Sequence, residues 1–573
     1  MEKFKEIVIK ILEDYFGNTF SREELESSVK IQDVSGKKRN PNFGEIAYQI
    51  FDFAKLCELN DASSLAREVA DELTLDERIS RVEAVGPYIN FHFDRNALIE
   101  GILNEVEEEG EKFGSNNSGE GKLVVLDYSA PNIGKPLHVG HIRSTILGDS
   151  IIRILNFNGY KTHGINYLGD VGLHIGKIIY AFKQWGDSAK IEANPEQEIL
   201  DLYIKFCKLE EKDEALTKKA KKEVELLEKG DLESKRIHRF IEEMSLRAFD
   251  RVYDMLNVSF DETTGQSRFS EKGKQVIHEA LKKGKAELTE DGAVAVDLSE
   301  YGLPRKMVLR SDGTAIYSTQ DIGAAIHRKE RFDFDKLLYV VATEQELYFK
   351  QLFAILDKFG YKWAKNCFHV NFGMINLPEG RMSTREGALV YLEEVLNKSI
   401  DAARRIIEEK SPGIPNKDEV ARMVGVGAVK YMVLSVDYSK PIEFSWDRAL
   451  NIEGNSAPYI QYSFARANSI LERIGRKPEG FSPEHLDTDI EFDLVRKIGM
   501  LPTAVKFAGL GYKPHIIANY ANELSGMFNT FYNKVRVKDS GEKLGSRLRL
   551  VSAYMTAVQN AMSLLGIKMP RKM

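Results

Sequence analysis

Cysteine is scarce in this chain: only three of its 573 residues are cysteines, Cys57, Cys207 and Cys367. Their wide separation excludes a zinc knuckle of the CxxC type, and so few thiols indicate a reducing compartment. We therefore expect a cytoplasmic protein that holds no structural metal.

Long hydrophobic runs are also missing. No stretch of about 18 uncharged apolar residues occurs, so no membrane span is expected. The opening MEKFKEIVIK mixes charged with apolar side chains and lacks the continuous apolar core of a signal peptide. What remains is a globular composition, with 43% hydrophobic and 29% charged residues, which argues against wholesale disorder.

Positive charge is concentrated at one end of the chain. The net charge of −7 divides into −12 for residues 1–120, −1 for 121–450 and +6 for 451–573. A basic domain on an acidic chain indicates an anionic partner there, and nucleic acid is the common one. The alternative is a solvated helix face, and charge alone does not separate the two.

The pattern of the chain predicts three domains. Residues 1–112 combine helical periodicity with a strand-like run at Tyr88–Phe93, typical of a small α+β domain. Residues 113–450 open with a buried strand, a Pro/Gly loop and an apolar helix, as a doubly wound α/β domain does. Residues 451–573 are helical. The predicted fold class is α/β, with a doubly wound, Rossmann-like parallel-sheet core, an N-terminal α+β domain and a C-terminal helix bundle.

Within the central domain, strand patterns recur at 293–297, 336–341 and 368–372. The segment 195–257 is strongly helical and highly charged. We interpret it as a solvated helical hairpin inserted into the core, without a catalytic role of its own.

The strongest chemical signal follows the first core strand, in the run DYSAPNIGKPLHVGH from Asp127 to His141. It lies at a strand end and opens a helix, where ligands of such sheets bind. The free N–H groups and dipole of a helix N-terminus favour phosphate, and Gly140 allows close approach of a nucleotide. His138 and His141 occupy neighbouring positions of one turn and can donate hydrogen bonds to phosphate oxygens.

Other interpretations of this run are available. A metal site would need a third ligand nearby, and helical zinc sites favour an i,i+4 pair. Either histidine could instead be a satisfied structural residue. A P-loop is excluded because no Gly-Lys pair is followed by Ser or Thr, and Gly425 and Gly427, which lack the third glycine of a dinucleotide fingerprint, are assigned to packing.

A second segment, PEGRMSTREG at 378–387, places two guanidinium groups and two hydroxyls between glycines. Such a set can clamp a triphosphate and release pyrophosphate. Taken alone, a loop of this composition is more often a surface turn than a site.

Together the two segments resemble the HIGH and KMSKS signatures of class I aminoacyl-tRNA synthetases, in order and about 240 residues apart. The run SAPNIGKPLHVGHIRSTILGD is similar to arginyl-tRNA synthetases in particular, as are PYINF, YLGD and IYSTQDIGAA. The chain departs from KMSKS at Arg381 and Thr384, where the signature has lysines. Members of the family commonly lack the second lysine, and Lys135 occupies the place of the lysine that stands in for it.

The resemblance implies activation of L-arginine by ATP, accompanied by Mg²⁺, and transfer of arginine to the terminal ribose 2′-OH of tRNA. The implied catalytic residues are Lys135, His138, His141, Arg381, Ser383 and Arg385. The implied ATP-binding residues are His138, Gly140, His141, Met382, Ser383 and Thr384. The implied arginine-binding residues are Asp127, Asn132, Tyr317, Asp321 and Gln345, since a carboxylate answers a guanidinium bidentately. The alternatives are an N-cap role for Asp321 and core packing for Tyr317.

The same resemblance implies tRNA contacts in both flanking domains of an enzyme expected to be a monomer. Residues 451–573 resemble a helical anticodon-binding domain, and residues 1–112 resemble the domain that contacts the tRNA elbow. The implied tRNA-binding residues are Tyr88, Asn90, Tyr459, Gln461, Tyr462 and Arg466. Packing of an aromatic helix stripe and of a buried strand are the alternatives. The acidic charge of residues 1–120 indicates that this region adds little long-range attraction for RNA.

Two rival functions fit part of the pattern. A nucleotidylyltransferase of the HxGH superfamily shares the core and the histidines but is usually short and lacks a basic helical tail. A non-catalytic RNA-binding relative would be indicated by loss of His138, His141 or the pocket carboxylates, and all of these are present.

Overall fold

The computed structural model describes residues 1–32, 43–376, 390–475 and 480–573. The N-terminal part is an antiparallel sheet with strand order β1-β2-β4-β3 among the described residues, and helices pack against it. The strand predicted at Tyr88–Phe93 is confirmed as β4. The elements are α1 (Glu2–Phe16), α2 (Arg22–Ser28), β1 (Val29–Ile31), β2 (Ile46–Gln49), α3 (Phe51–Leu56), α4 (Ala62–Glu72), β3 (Ile79–Val85), β4 (Tyr88–Phe93) and α5 (Arg95–Glu109).

The central part is built on a parallel sheet with helices between its strands. Its first half contains β5 (Leu123–Asp127), α6 (Val139–Phe157), β6 (Lys161–Leu168), α7 (Leu173–Trp185), α8 (Ser188–Ala193), α9 (Pro195–Glu210), α10 (Ala215–Glu228), α11 (Leu232–Leu256), β7 (Glu262–Gly265) and α12 (Ser270–Lys282). Its second half contains β8 (Glu287–Leu288), β9 (Val294–Val296), β10 (Lys306–Leu309), α13 (Tyr317–Phe332), β11 (Lys336–Ala342), α14 (Glu346–Phe359), β12 (Cys367–Phe372), β13 (Ile375–Asn376), α15 (Leu392–Lys410), α16 (Lys417–Leu434), β14 (Ile442–Glu443) and α17 (Trp446–Ala449).

The strand order of this sheet decides where a ligand binds. Among the described residues it runs β12-β11-β5-β6-β7, with every pairing parallel. The chain builds outward from β5 through β6 and β7 on one side, and through β11 and β12 on the other. The order therefore reverses between β5 and β11, and a crevice opens at their carboxyl ends. The observed sheet, with helices between its strands, confirms the predicted fold class.

The helical insertion differs from its prediction. It consists of three helices, α9, α10 and α11, rather than a hairpin, and α11 is not merely solvated. The inner face of α11 carries Ser245, whose Oγ accepts a hydrogen bond from the Gly134 amide at 2.9 Å, and Tyr253, whose hydroxyl lies 2.8 Å from Ser129 Oγ. The many charged residues on the outer face of α11 obscured, in the sequence, the apolar residues of its buried face. The insertion therefore supports the loop that follows β5.

The C-terminal part is helical, with α18 (Ala457–Ile474), α19 (Asp489–Ile498), α20 (Leu501–Gly511), α21 (Pro514–Lys534) and α22 (Leu544–Leu564). It packs directly on the N-terminal part. Arg95 donates to the Leu486 and Thr488 carbonyls at 3.2 and 2.6 Å, and its guanidinium lies 4.6 Å from the centre of the Phe492 ring. None of the described helices combines the length and the apolar character that crossing a membrane requires.

Candidate active site

A cavity of about 840 Å³ lies at the crevice between β5 and β11. Its wall contains predicted site residues from three separate stretches of the chain, around 127–141, 317–321 and 345. The predicted residues in its wall are Asp127, Asn132, Gly140, His141, Tyr317, Asp321 and Gln345. Four further residues of the wall were not predicted as site residues: Tyr167, which lies in the YLGD run, Lys306, Tyr339 and Tyr348.

The turn that leaves β5 is strained. Ser129 and Ala130 both have positive φ, 68° and 48°, which is unfavourable for residues with a Cβ atom. The surrounding structure holds them there: Ser144 Oγ accepts from the Ser129 amide at 2.9 Å, and Asn166 Oδ1 accepts from the Ala130 amide at 3.2 Å. Backbone strain of this kind concentrates at functional sites. It bends the chain so that the following residues enter the crevice.

The two histidines cap the helix that they open. His138 is the N-cap of α6, and its Nδ1 accepts a hydrogen bond from the Gly140 amide at 3.1 Å. His141 reaches back, so that its Nδ1 accepts from the His138 amide at 3.2 Å. This reciprocal arrangement is a capping box, and it brings the ring centres to 4.0 Å.

The capping fixes the tautomer of both rings. Burial lowers the pKa of His138 to about 4, and it holds the pKa of His141 well below its usual value, so both are neutral at pH 7. Each Nδ1 accepts from a backbone amide, so the single ring proton must be on Nε2. Both histidines therefore present an N–H donor on the edge opposite the helix, as binding of phosphate oxygens requires.

The second motif lies outside the described residues: Arg381, Met382, Ser383, Thr384 and Arg385 all fall within 377–389. The chain directly after that segment contacts the residues on either side of His138. The Val139 amide donates to the Val390 carbonyl at 3.2 Å, and the Leu392 amide donates to the Leu137 carbonyl at 2.9 Å. The described chain therefore resumes in antiparallel contact with the residues that flank His138.

Lys135 faces the helical insertion. Its ammonium lies 5.1 Å from the centre of the Tyr203 ring of α9, and its charge contributes to the lowered pKa of His138. The lysine is thus electrostatically close to the histidine pair, although it does not line the cavity.

The two predicted carboxylates have different surroundings. Asp127 is buried at the end of β5, and its Oδ2 lies 2.8 Å from Nη2 of the buried Arg328. Because this guanidinium compensates its charge, Asp127 forms part of the cavity floor rather than a free anion for a cationic substrate. Asp321 accepts a hydrogen bond from the Tyr348 hydroxyl, and no cation among the described residues forms an ion pair with it, although the charge of Arg328 acts on it.

Burial also tunes Asp321. It raises the pKa of this carboxyl to about 6, with Asp127 adding to the rise and Tyr348 and Arg328 opposing it. At pH 7 the group is ionised and faces the cavity. The alternative that Asp321 is a helix N-cap is wrong, because Ile316 is the N-cap of α13 and Asp321 lies within the helix.

The remaining predicted residues of the pocket lie around its rim. Tyr317, the first residue of α13, is 54% exposed, which excludes the alternative of core packing. Gln345 lies in the turn after β11. The backbone of Asn132 bridges to Gly169, where a Cβ atom would come within 2.0 Å of Asn132 Oδ1. Tyr339 also lines the cavity, and its buried hydroxyl has no hydrogen-bond partner within the described structure.

A second cavity, of about 900 Å³, lies in the helical C-terminal part. Arg466 is stacked between Tyr462 and Tyr532, with ring centres 4.7 and 4.6 Å from its guanidinium carbon, and it donates to Asn529 Oδ1 at 3.1 Å. The other cationic residues in the wall are Arg473, Lys534, Arg536, Lys538 and Lys572. Aromatic faces beside fixed cations suit unpaired bases and phosphates.

Two predicted tRNA contacts are corrected by burial. Gln461 is fully buried, and its Nε2 donates to the carbonyls of Met423 and Lys568 at 3.2 and 2.8 Å, so it has a packing role. Asn90 is 1% exposed and donates to the Glu83 carbonyl at 3.4 Å within the sheet. Neither amide is at the surface, because both occupy inward positions of their elements.

The other predicted tRNA contact of the N-terminal sheet is accessible. Tyr88 is 40% exposed and meets Phe51, 45% exposed, edge to face with ring centres 6.2 Å apart. In the C-terminal part, Tyr459 is half-buried near Gly526, beside but not within the second cavity.

Within residues 1–32, 43–376, 390–475 and 480–573, no group of three or more His, Cys, Asp or Glu side chains is arranged to hold a metal ion.

Comparison with known proteins gives a consistent result along the chain. Three family profiles match: "Arginyl tRNA synthetase N terminal domain" at residues 2–93, "tRNA synthetases class I (R), catalytic domain" at 103–446 and "DALR anticodon binding domain" at 460–573. An arginine–tRNA ligase of Halothermothrix orenii is 40% identical over 575 residues, with 100% of both chains covered. One of Clostridium perfringens is 39% identical, covering 96% of this chain and 97% of its own.

Solved structures agree. Arginyl-tRNA synthetase of Thermus thermophilus is similar with a TM-score of 0.83 and 25% identity, covering 100% of both chains. The fold is also that of the Plasmodium falciparum arginyl-tRNA synthetase, with a TM-score of 0.78, 24% identity, and 100% and 99% of the two chains covered. With its capped histidine pair at the crevice of a parallel sheet and full-length similarity to these proteins, the chain belongs to the arginyl-tRNA synthetase family.

Proposed function

We propose that this protein ligates L-arginine to tRNA in two steps, with arginyl-adenylate as the intermediate. The observation that carries the proposal is one cavity whose wall contains both His141, which forms a pair of Nε2–H donors with its neighbour His138, and the ionised Asp321. The donors suit the phosphates of ATP, and the carboxylate suits a guanidinium, which offers five N–H groups in a planar fork.

In the first step an arginine carboxylate oxygen attacks the α-phosphorus of ATP. A bond forms between the carboxylate oxygen and the α-phosphorus. The bond between the α-phosphorus and the oxygen that bridges it to the β-phosphorus breaks, and pyrophosphate leaves. Such an in-line displacement is catalysed by positioning and by charge stabilisation. His138 and His141 donate to the oxygens on which charge grows, and the amides at the start of α6 add the field of the helix dipole. Lys135 is proposed to stabilise the pentavalent phosphorus together with the two histidines, and Arg381, Ser383 and Arg385 are proposed to hold the leaving pyrophosphate.

The pocket residues orient the amino acid for that attack. Asp321 holds the guanidinium, Tyr317 covers it from the rim, and Asn132 and Gln345 are proposed to bind the α-amino end. Gly140, Met382 and Thr384 are proposed to contact ATP. Mg²⁺ bound to the ATP phosphates would offset their negative charge, because phosphate oxygens are the ligands that it prefers.

In the second step the terminal ribose 2′-OH of tRNA attacks the carbonyl carbon of the adenylate, and AMP leaves. The proposed tRNA contacts are Tyr88 in the elbow-binding domain (1–112), and Tyr459, Tyr462 and Arg466 in the anticodon-binding domain (451–573). Residues 113–450 form the catalytic domain. We propose that the enzyme acts as a cytoplasmic monomer; the few cysteines support the location.

The test is tRNA charging with each of the twenty amino acids separately, alongside arginine-dependent exchange of pyrophosphate into ATP with and without tRNA. Arginine alone should be attached. Lysine should fail, because the polar groups built for the fork would be left unpaired. Attachment of another amino acid, or nucleotidyl transfer without any aminoacyl-tRNA, would overturn the proposal.

A further inference from the structure

Lys306 is a cationic residue in the wall of the first cavity, and the proposed reaction gives it no role. It is the first residue of β10, which pairs antiparallel with β9 in the small sheet beside the cavity. Its side chain is therefore carried by a strand rather than by a loose loop, and its position relative to the cavity is defined.

Two helices of the cavity wall hold the backbone on both sides of Lys306. From α13, the buried Ser318 donates from its hydroxyl to the Met307 carbonyl at 2.8 Å. From α14, the buried Gln351 donates from Nε2 to the Pro304 carbonyl at 2.9 Å. The base of the lysine side chain thus has a fixed place relative to α13, which carries Asp321, and to α14.

The ammonium of Lys306 lies against a tyrosine that also contacts Asp321. Its Nζ is 4.7 Å from the centre of the Tyr348 ring, and the hydroxyl of the same tyrosine donates a hydrogen bond to Asp321. Burial lowers the pKa of Lys306, and the negative charge of Asp321 opposes this fall. The lysine and the carboxylate therefore interact electrostatically on opposite parts of one aromatic side chain.

The neighbouring cations are compensated by ion pairs. Arg328 is paired with Asp127 at 2.8 Å, and Arg305, next to Lys306 in the chain, is paired with Glu287 at 2.8 Å. In the part of the chain that the structure describes, Lys306 has no carboxylate within ion-pair distance. A cation that enters the cavity therefore meets the positive charge of Lys306 as well as the negative charge of Asp321.

This arrangement treats two kinds of substrate cation differently. A guanidinium spreads its charge over several nitrogens and binds a carboxylate bidentately, which offsets repulsion by a nearby cation. The ammonium of L-lysine has its charge on one strongly hydrated atom, which stands where arginine has the central carbon of the guanidinium and so ends one bond short of the fork. A repulsive group that the wrong ligand cannot offset is a general source of specificity.

We propose that Lys306 is a specificity-determining residue, whose ammonium repels compact cations such as that of L-lysine from the carboxylate of Asp321. The repulsion adds to the loss that lysine suffers because it leaves groups of the pocket unpaired. The inference rests on the proposed function, since it takes L-arginine as the ligand of this cavity.

The test uses the full-length enzyme and the variant Lys306→Met, which keeps a long apolar side chain but removes the charge. L-Lysine and L-citrulline, the neutral isostere of arginine, are each measured as competitive inhibitors of arginine attachment to tRNA. In Lys306→Met the Ki of L-lysine should fall about tenfold, the order expected for one unit charge at a partly exposed site. The Ki of L-citrulline should not change, and the KM for arginine should fall by less than the Ki of L-lysine.

Two further variants are controls. Lys306→Arg keeps a cation at this position, so its Ki for L-lysine should stay close to that of the parent. Lys350→Met removes an exposed ion pair with Glu346 at 2.7 Å on the same helix as Tyr348, and all three constants should stay unchanged.

The proposal is overturned if Lys306→Met binds L-lysine no better than the parent does, or if the Ki values of L-lysine and L-citrulline fall equally. A higher KM for arginine or for ATP in Lys306→Met would also overturn it, since the ammonium would then bind a carboxylate or a phosphate of the substrates. If the parent enzyme does not attach arginine to tRNA, the proposed function fails instead.

Discussion

Arg328 faces Asp127, which lines the first cavity, with Nη2 2.8 Å from Oδ2 and both side chains buried. This ion pair distinguishes Asp127 from Asp321, although both were predicted as arginine-binding residues. Asp127 balances the buried guanidinium of Arg328, whereas Asp321 has no ion-pair partner among the described residues and is the carboxylate that we propose binds the substrate guanidinium.

Asp127→Asn should therefore act on stability. Removing one partner leaves the Arg328 charge buried without compensation, and breaking such a pair costs about 3–5 kcal/mol. Urea unfolding monitored by circular dichroism measures it. Asp321→Asn is the control: it should cost far less stability but raise the KM for arginine sharply. Equal destabilisation by the two substitutions would contradict the separation of roles.

The KM for arginine should depend on pH. The pKa of Asp321 is raised to about 6, so the carboxylate is ionised at pH 7 and becomes protonated as the pH falls through 6. One unit below the pKa, only about a tenth of the enzyme has the ionised group, and the KM for arginine at pH 5 should be about tenfold above its plateau. Both site histidines remain neutral over this range.

Steady-state kinetics between pH 5 and 8 test this expectation. Asp321→Asn should have a high KM that does not change with pH over the same range. A wild-type KM that stays flat to pH 5, with the enzyme still folded, would show that another group binds the guanidinium.

His138 should be examined with a substitution that preserves its capping role. His138→Ala removes both the phosphate donor and the N-cap, and loss of a cap costs about 1 kcal/mol. His138→Asn keeps an oxygen acceptor for the Gly140 amide, so its stability should stay near that of the parent. Both variants should lose aminoacylation by orders of magnitude while tRNA affinity stays near normal. Normal turnover in either would contradict the phosphate role.

Arg466 offers a test of the second cavity. Arg466→Lys keeps the charge but loses the planar group that lies between Tyr462 and Tyr532 and orders their rings. If one base then loses its aromatic platform, tRNA affinity should fall by about 1–3 kcal/mol. The dependence of affinity on salt should be unchanged, whereas Arg466→Ala should also make it shallower. Filter binding at several salt concentrations distinguishes these outcomes. Wild-type affinity in both variants would remove the residue from the RNA surface.

Local patterns in the sequence predicted the elements well where burial was uniform. The run before Asp127 is a continuous apolar strand, and β5 lies where expected, as do the strands at 336–341 and 368–372. The insertion at 195–257 was harder, because its charge is on the outward face and its site-facing residues, such as Tyr253, are ordinary helix positions. A periodic stripe on α11 was the available signal.

The residues of the site could be predicted from sequence motifs, but the charges that surround them could not. His138, His141 and Asp321 are marked by their neighbours in sequence, but the partner of Asp127 is Arg328, some 200 residues away, and only the fold brings the two together. Gln461 and Asn90 were predicted to contact tRNA but are buried. Their residue types suit RNA, yet the face of a helix or strand that points inward is set by tertiary packing.

The docking of Arg95 onto the start of α19 has a consequence for substrate choice. Together with the bonds from Asn560 to the Gly110 and Phe113 carbonyls at 2.9 and 3.0 Å, it fixes the N-terminal part against the C-terminal part. If both parts bind tRNA as we propose, the distance between them is set by the protein, and we expect selection of a nucleic acid with the matching bend and length, whatever bases it carries.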